Sequence, residues 1–153
     1  MSVRTRRGFM LIEILCVLVA TGVAAALVAP HLRRTVDRSR LRSAGTLVGN
    51  AVGRAKIVAA TRGCDAVVHI GSGADARVWV TACNTKGRGI DTLSTNHVAA
   101  AFKGSVATTL DSVSFTAAGV RTTRERVIVR LLDGDGAVAD SVVIDPVGRV
   151  KRT

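Results

Sequence analysis

The stretch GFMLIEILCVLVATGVAAALVAP, running from Gly8 to Pro30, carries one formally charged side chain, Glu13. A helix that crosses a bilayer core of roughly 30 Å needs about 20 predominantly apolar residues. Residues 9–30 therefore predict a membrane-spanning helix. Glu13 is the anomaly within it. A carboxylate at hydrocarbon depth costs on the order of 3 kcal/mol on insertion scales, so such a group faces a partner or marks a function. A simple anchor has no use for one.

Arg4, Arg6 and Arg7 precede Gly8, and the apolar run begins abruptly at Phe9. A cut between Gly8 and Phe9 would create a cationic amine at the membrane edge, four residues from Glu13. A neighbouring subunit shifted along the helix axis could then set its own Phe9 amine against this Glu13, and two charges in hydrocarbon would compensate each other. The basic leader, Gly8, Phe9, Glu13, the apolar run and Pro30 at its end closely resemble the N-terminus of type IV pilins and type II secretion pseudopilins. The resemblance implies that a prepilin peptidase cuts after Gly8 and methylates Phe9, and that Glu13 guides filament assembly. It also implies a cytoplasmic N-terminus, a single pass through the bacterial inner membrane, and a periplasmic C-terminal domain that joins other pilin or pseudopilin subunits in a pilus or pseudopilus. Charge bias alone decides the orientation weakly, because Arg33 and Arg34 follow Pro30. A cleavable secretory signal is the plain alternative, but its apolar core would be shorter and free of Glu13.

The expected organisation is a leader over 1–8, the membrane helix over 9–30, the periplasmic half of a stalk helix over 31–62, and a globular domain over 63–153. A chain of 153 residues allows one such domain beside the membrane segment. The formal net charge is +11; with Arg4, Arg6, Arg7 and Glu13 set aside, residues 31–153 keep +9. An exported part that basic favours anionic partners, whether nucleic acid, phospholipid headgroups or acidic polysaccharide, without choosing among them. Of the three cysteines, Cys16 lies in the apolar run and reads as a small apolar residue. Cys64 and Cys83 fall in the part placed in an oxidising periplasm, where a disulfide is permitted. Such a bridge would add roughly 3 kcal/mol in the chain-entropy account; two buried free thiols are the alternative. No C-x-x-C and no clustered histidines accompany them, so no metal site is expected.

From His31 to about Thr61 the pattern is that of an amphipathic helix continuing the span. Leu41, Ala44, Val48, Ala51, Val52, Ala55, Val58 and Ala59 recur at steps of three and four, leaving Arg38, Arg42, Arg54 and Lys56 to other faces. Pro30 is expected to kink the junction or end the hydrogen-bond ladder. Gly45, Gly49 and Gly53 form a smooth ridge, suited to close packing on a sheet or a neighbouring helix, or else a locally weak helix. After Gly63 the period changes to two. Residues 66–70, 77–82, 113–116, 126–132 and 137–144 read as strands, with 71–75, 84–96 and 122–125 as loops. Asp133-Gly134-Asp135-Gly136 reads as a hairpin turn. A helix followed by short hairpin-linked strands predicts an α+β domain, an antiparallel sheet packed on the C-terminal half of the long helix.

The segment Arg54-Ala55-Lys56 leading to Cys64 is similar to the GspH/FimT branch of minor pilins. So are Val113-Ser114-Phe115 with Gly119, and the ending Val143-Ile144-Asp145-Pro146-Val147-Gly148-Arg149-Val150. Gly148, Arg149 and Arg152 match a G-R-x-x-R ending that FimT-type pilins use to bind DNA during natural transformation, and Lys151 is an added cation. The resemblance thus implies DNA binding by Gly148, Arg149 and Arg152; Lys151, Arg121 and Arg124 are further basic candidates, and a grip on the phosphates of double-stranded DNA would not depend on sequence. Arg126 and Arg130 are candidates too, or simply the wet face of a strand. If the ending is extended, Arg149 and Lys151 face one way and Arg152 the other. With no Tyr, one Trp (Trp79) and three Phe, stacking platforms are scarce, so binding would be a salt-sensitive grip on the backbone. The alternative for the ending is a solvated tail on a structural pseudopilin of a type II secretion system. No catalytic motif is found, His31, His69 and His97 are dispersed, and neither enzyme activity nor a cofactor is expected.

Overall fold

The computed structural model describes residues 11–84 and 89–153. Gly8 and Phe9 lie outside the described residues. One helix, α1, runs from Leu11 to Arg62. It continues through Pro30, whose missing N–H removes one rung of the ladder without ending it. The chain divides into two compact units, Met1–Arg38 and Ser39–Thr153. In the first, Leu11, Ile14, Leu18 and Leu27 are each more than half exposed. The hydroxyl of Thr21 donates back to the carbonyl of Val17 at 2.9 Å, which satisfies it within the helix. Among the described residues no helix is long and apolar enough to cross a membrane; the run read above as a span begins at Phe9, outside them.

The second unit contains the core. Along α1 the face predicted from the three-and-four spacing is the buried one: Ala44, Val48, Ala51, Val52, Ala55 and Ala59 are at most 2% exposed, with Leu41 and Val58 packed beside them. The helix stops where Gly63 turns left-handed at φ +65° and the Cys64 N–H reaches back to the Ala59 carbonyl at 3.3 Å. Eight strands follow: β1 (Ala66–Ile70), β2 (Arg77–Cys83), β3 (Ile90–His97), β4 (Ser105–Thr108), β5 (Ser112–Phe115), β6 (Val127–Leu132), β7 (Val138–Ile144) and β8 (Val150–Arg152), with a short helix α2 (Val98–Phe102) between β3 and β4.

They form two antiparallel four-stranded sheets, β3-β2-β1-β5 and β4-β6-β7-β8, where the sequence led us to expect one. The inward faces are the alternating apolar sets Ala66/Val68/Ile70, Val78/Val80/Ala82, Val113/Phe115, Val127/Val129/Leu131 and Val142/Ile144, and they close one core with α1. Residues 84–96, read as a loop, contain most of β3. Its Ile90-Asp91-Thr92-Leu93-Ser94-Thr95-Asn96-His97 has no fully buried residue, because it is the outer strand of its sheet. The β6–β7 connection is the hairpin turn expected at 133–136, with the Asp133 N–H donating to the Ala137 carbonyl at 2.8 Å.

Cys64 and Cys83 are joined in a disulfide that ties the end of α1 to the end of β2. Beside it Arg62 donates to the Cys83 carbonyl at 2.5 Å and lies 3.3 Å from the Asp91 carboxylate. Reduction releases a loop of 19 residues' separation and is expected to cost roughly 3 kcal/mol, or about 10 °C in Tm for a domain of this size. Calorimetry with and without reductant, with thiols counted by mass, checks this. An unchanged Tm in fully reduced protein would exclude it.

Candidate nucleic-acid interface

The chain ending forms a folded strand. The turn from β7 to β8 is closed by the Gly148 N–H donating to the Asp145 carbonyl at 2.7 Å and the Asp145 N–H donating to the Arg149 carbonyl at 2.9 Å. Gly148 adopts φ +73°, which a side chain resists. Lys56, from α1, donates to the Gly148 carbonyl at 2.6 Å, and its ammonium stands 5.6 Å from the centre of the buried Phe115 ring. Past the turn, Val150, Lys151 and Arg152 pair with Ile144, Val143 and Val142. Thr153 extends the ladder by exchanging backbone hydrogen bonds with Ser141 at 3.0 and 3.3 Å. The ending is therefore a paired strand rather than a free tail, and its residues remain exposed to solvent.

Register decides where the cations go. Arg152 stands opposite Val142 and faces α1 with it, whereas Lys151 stands opposite Val143 on the outer face. Arg152 is ion-paired with Asp140, whose side chain is 8% exposed. Together with Arg42, Gly45, Gly49 and Val150 it lines a groove of about 220 Å³ between α1 and the β7–β8 edge. A Cβ on Gly45 would meet Val142 at 3.4 Å and one on Gly49 would meet Val150 at 3.8 Å, so two of the three ridge glycines pack on the sheet; Gly53 has open space. Lys151 is 66% exposed and 3.7 Å from Asp145. Arg149 is exposed at the turn, with no ion pair among the described residues. Arg130 shares the outer face with Lys151, two strands away, because Val127, Val129 and Leu131 take the inner positions of β6. Arg130 pairs with Ser141, two residues along β7 from the partner of Lys151, so at the usual strand spacing the two positions are roughly 12 Å apart.

Arg121, grouped with these cations from sequence, is placed elsewhere. It is 5% exposed and donates from Nη1 to the carbonyls of Asp145 at 3.0 Å and Ile144 at 3.3 Å, so it ties the segment after β5 to the end of β7. Burial pushes its guanidinium below the ordinary value, partly opposed by Glu125. A group held this way cannot contact a phosphate, and its assignment as a DNA contact is corrected accordingly. Arg124 and Arg126 are exposed in the following loop. Lys56 and Asp140 were missed from sequence: each works on a residue distant or diagonal in the fold, and no local pattern marks that. Among the described residues no group of histidine, cysteine and acidic side chains could hold a metal ion.

The two-layer domain on the second half of a long N-terminal helix is a type IV pilin fold. Two crystal structures of the Pseudomonas aeruginosa type IV minor pilin FimU share it. One has a TM-score of 0.59 at 14% identity, covering 78% of this chain and 92% of that one. The other has a TM-score of 0.54 at 13% identity, covering 73% and 91%. No protein-family model and no curated protein matches the chain.

Proposed function

We propose that this chain is a minor subunit of a type IV pilus and a structural protein rather than an enzyme. The observation that carries the reading is the fold, a long helix whose second half is buried under two antiparallel sheets, as in a type IV minor pilin. The sequence adds the Gly8-Phe9 junction and Glu13, which support processing by a prepilin peptidase, a single pass through the inner membrane and assembly with other pilins. Within that role the ending grips double-stranded DNA without reading its sequence. Arg149 and Lys151 are the principal phosphate contacts; Arg130 and Arg124 are exposed and add to them. Arg152 has a double task, since its loss would strand the buried carboxylate of Asp140.

That division shapes the test. In full-length protein held in detergent, Arg149→Ala with Lys151→Ala removes two phosphate contacts and flattens the log–log salt dependence of duplex binding by about 2. The loss is equal on unrelated sequences, because no base edge is read. Melting is expected to stay within about 2 °C of wild type, because exposed substitutions rarely shift stability by more than about 0.5 kcal/mol. An unchanged slope, or no DNA affinity at low salt, would favour the second reading, a structural pseudopilin of a type II secretion system. The engagement of Lys151 and Arg152 by Asp145 and Asp140 speaks for that alternative.

A further inference from the structure

The outer face of the β3-β2-β1-β5 sheet carries the chain's only tryptophan, and it is not isolated. Trp79 on β2 stands opposite His69 on β1, with ring centroids 5.0 Å apart and planes within 10°. His69 Nε2 is 2.9 Å from the Thr81 hydroxyl, which fixes the imidazole in the stack. On its other side His69 is paired in register with Ser112 at the start of β5. The Ile70 N–H donates to the Asp111 carbonyl at 2.8 Å and holds that segment in place. Between these strands lies an open cavity of about 520 Å³, lined by Trp79, His69, Ile70, Ser72, Asp111 and Ser112. That volume falls in the range of roughly 300–1,000 Å³ typical of small-ligand sites.

The lining has a specific chemistry. The aromatic pair gives an apolar wall. Asp111 supplies a carboxylate that only accepts hydrogen bonds, and the hydroxyls of Ser72 and Ser112 both donate and accept. In a chain of net charge +11, no lysine or arginine among the described residues lines this cavity, which leaves an anion no cationic side chain there. Burial lowers the affinity of His69 for a proton and so favours the uncharged ring. We infer that this cavity binds a neutral sugar ring of a glycan, whose C–H face lies on the aromatic pair and whose hydroxyls donate to Asp111 and exchange hydrogen bonds with Ser72 and Ser112. A cross-strand aromatic pair stabilises a sheet by itself, but it does not call for Asp111, Ser72 and Ser112 to line the same cavity. The site lies on the other sheet from the basic ending and does not depend on DNA binding.

With one tryptophan in the chain, intrinsic emission reports this cavity alone. The full chain, in a polyoxyethylene detergent that carries no sugar headgroup, is titrated with the trimer of N-acetylglucosamine and with a glucose trimer. At least one of them is expected to shift Trp79 emission saturably in the millimolar range. Asp111→Ala is expected to raise the half-saturation concentration by about tenfold or more, since a hydrogen bond to a charged acceptor is lost. Asp111 is exposed and holds Ile70 through its backbone, so the variant keeps its fold, which circular dichroism verifies. Three results would overturn the inference: no shift with either sugar at tens of millimolar, an undiminished response in Asp111→Ala, or a shift produced by duplex DNA and by neither sugar.

Discussion

Glu13→Ala protein is expected to reach the membrane, be cut to a mature chain starting at Phe9, and yet be missing from filaments. Glu13 sits in the first turn of the described part of α1 among Leu11, Ile12, Ile14 and Leu15, all more than half exposed and all apolar. If the helix spans the bilayer as proposed, alanine in its place is expected to ease insertion by about the 3 kcal/mol that a carboxylate costs at hydrocarbon depth. Assembly runs the other way. If the neighbour's Phe9 amine is neutralised by Glu13, its removal leaves a cation unpaired in hydrocarbon, at a cost of roughly 3–5 kcal/mol. That corresponds to a loss of about two to four orders of magnitude in association. Mass spectrometry of the mature N-terminus and immunoblots of sheared filaments measure the two steps separately. Normal entry of the variant into filaments would dismiss charge pairing as the assembly principle.

The second large effect is expected at Gly148→Ala. The residue holds φ +73°, and an added Cβ would lie 2.7 Å from Lys56 Cε and 2.8 Å from Phe115 Cε1. Left-handed backbone costs a non-glycine residue about 1–2 kcal/mol, and overpacking against a fully buried ring about 1–3 kcal/mol more. Lys56 can yield, but only by releasing the carbonyl of residue 148. A loss of roughly 2–5 kcal/mol, or about 10 °C or more in Tm, is expected. Gly53→Ala is the internal control: its Cβ meets nothing within 4 Å, so the same change is expected to raise stability by about 0.5–1 kcal/mol. Equal Tm values for the two variants would show that the glycine opening the basic motif has no structural duty.

Much of the fold could be read from residues whose spacing repeats against a buried surface. The stripe from Leu41 to Ala59 on α1 and the alternation in β1, β2, β5, β6 and β7 stood out because each puts several side chains at or near zero exposure. What stayed hidden is either short or has little apolar alternation to show. β4 buries only Val106, β8 buries nothing, β3 is half-exposed along its length, and α2 is a five-residue helix ended by Lys103 at φ +58°. Without β3, β4 and β8 the remaining strands look like a single sheet. At the ending, the sequence displayed the cations but not their counter-charges. Asp140 and Asp145 sit on β7 and at its end, and only the antiparallel register brings them to Arg152 and Lys151. Arg121 misled for a related reason: burial of a charged residue is decided by carbonyls distant in sequence.

The bridge between Cys64 and Cys83 has a mechanical meaning. The helix end is connected to the first sheet twice, by the chain itself into β1 and by the bridge into β2, and these are the two inner strands of the four. A tensile load travelling along α1 would be shared between neighbouring strands that are each paired on both sides. Detaching the sheet would then require many rungs to fail together, whereas a pull through one strand can open them in succession.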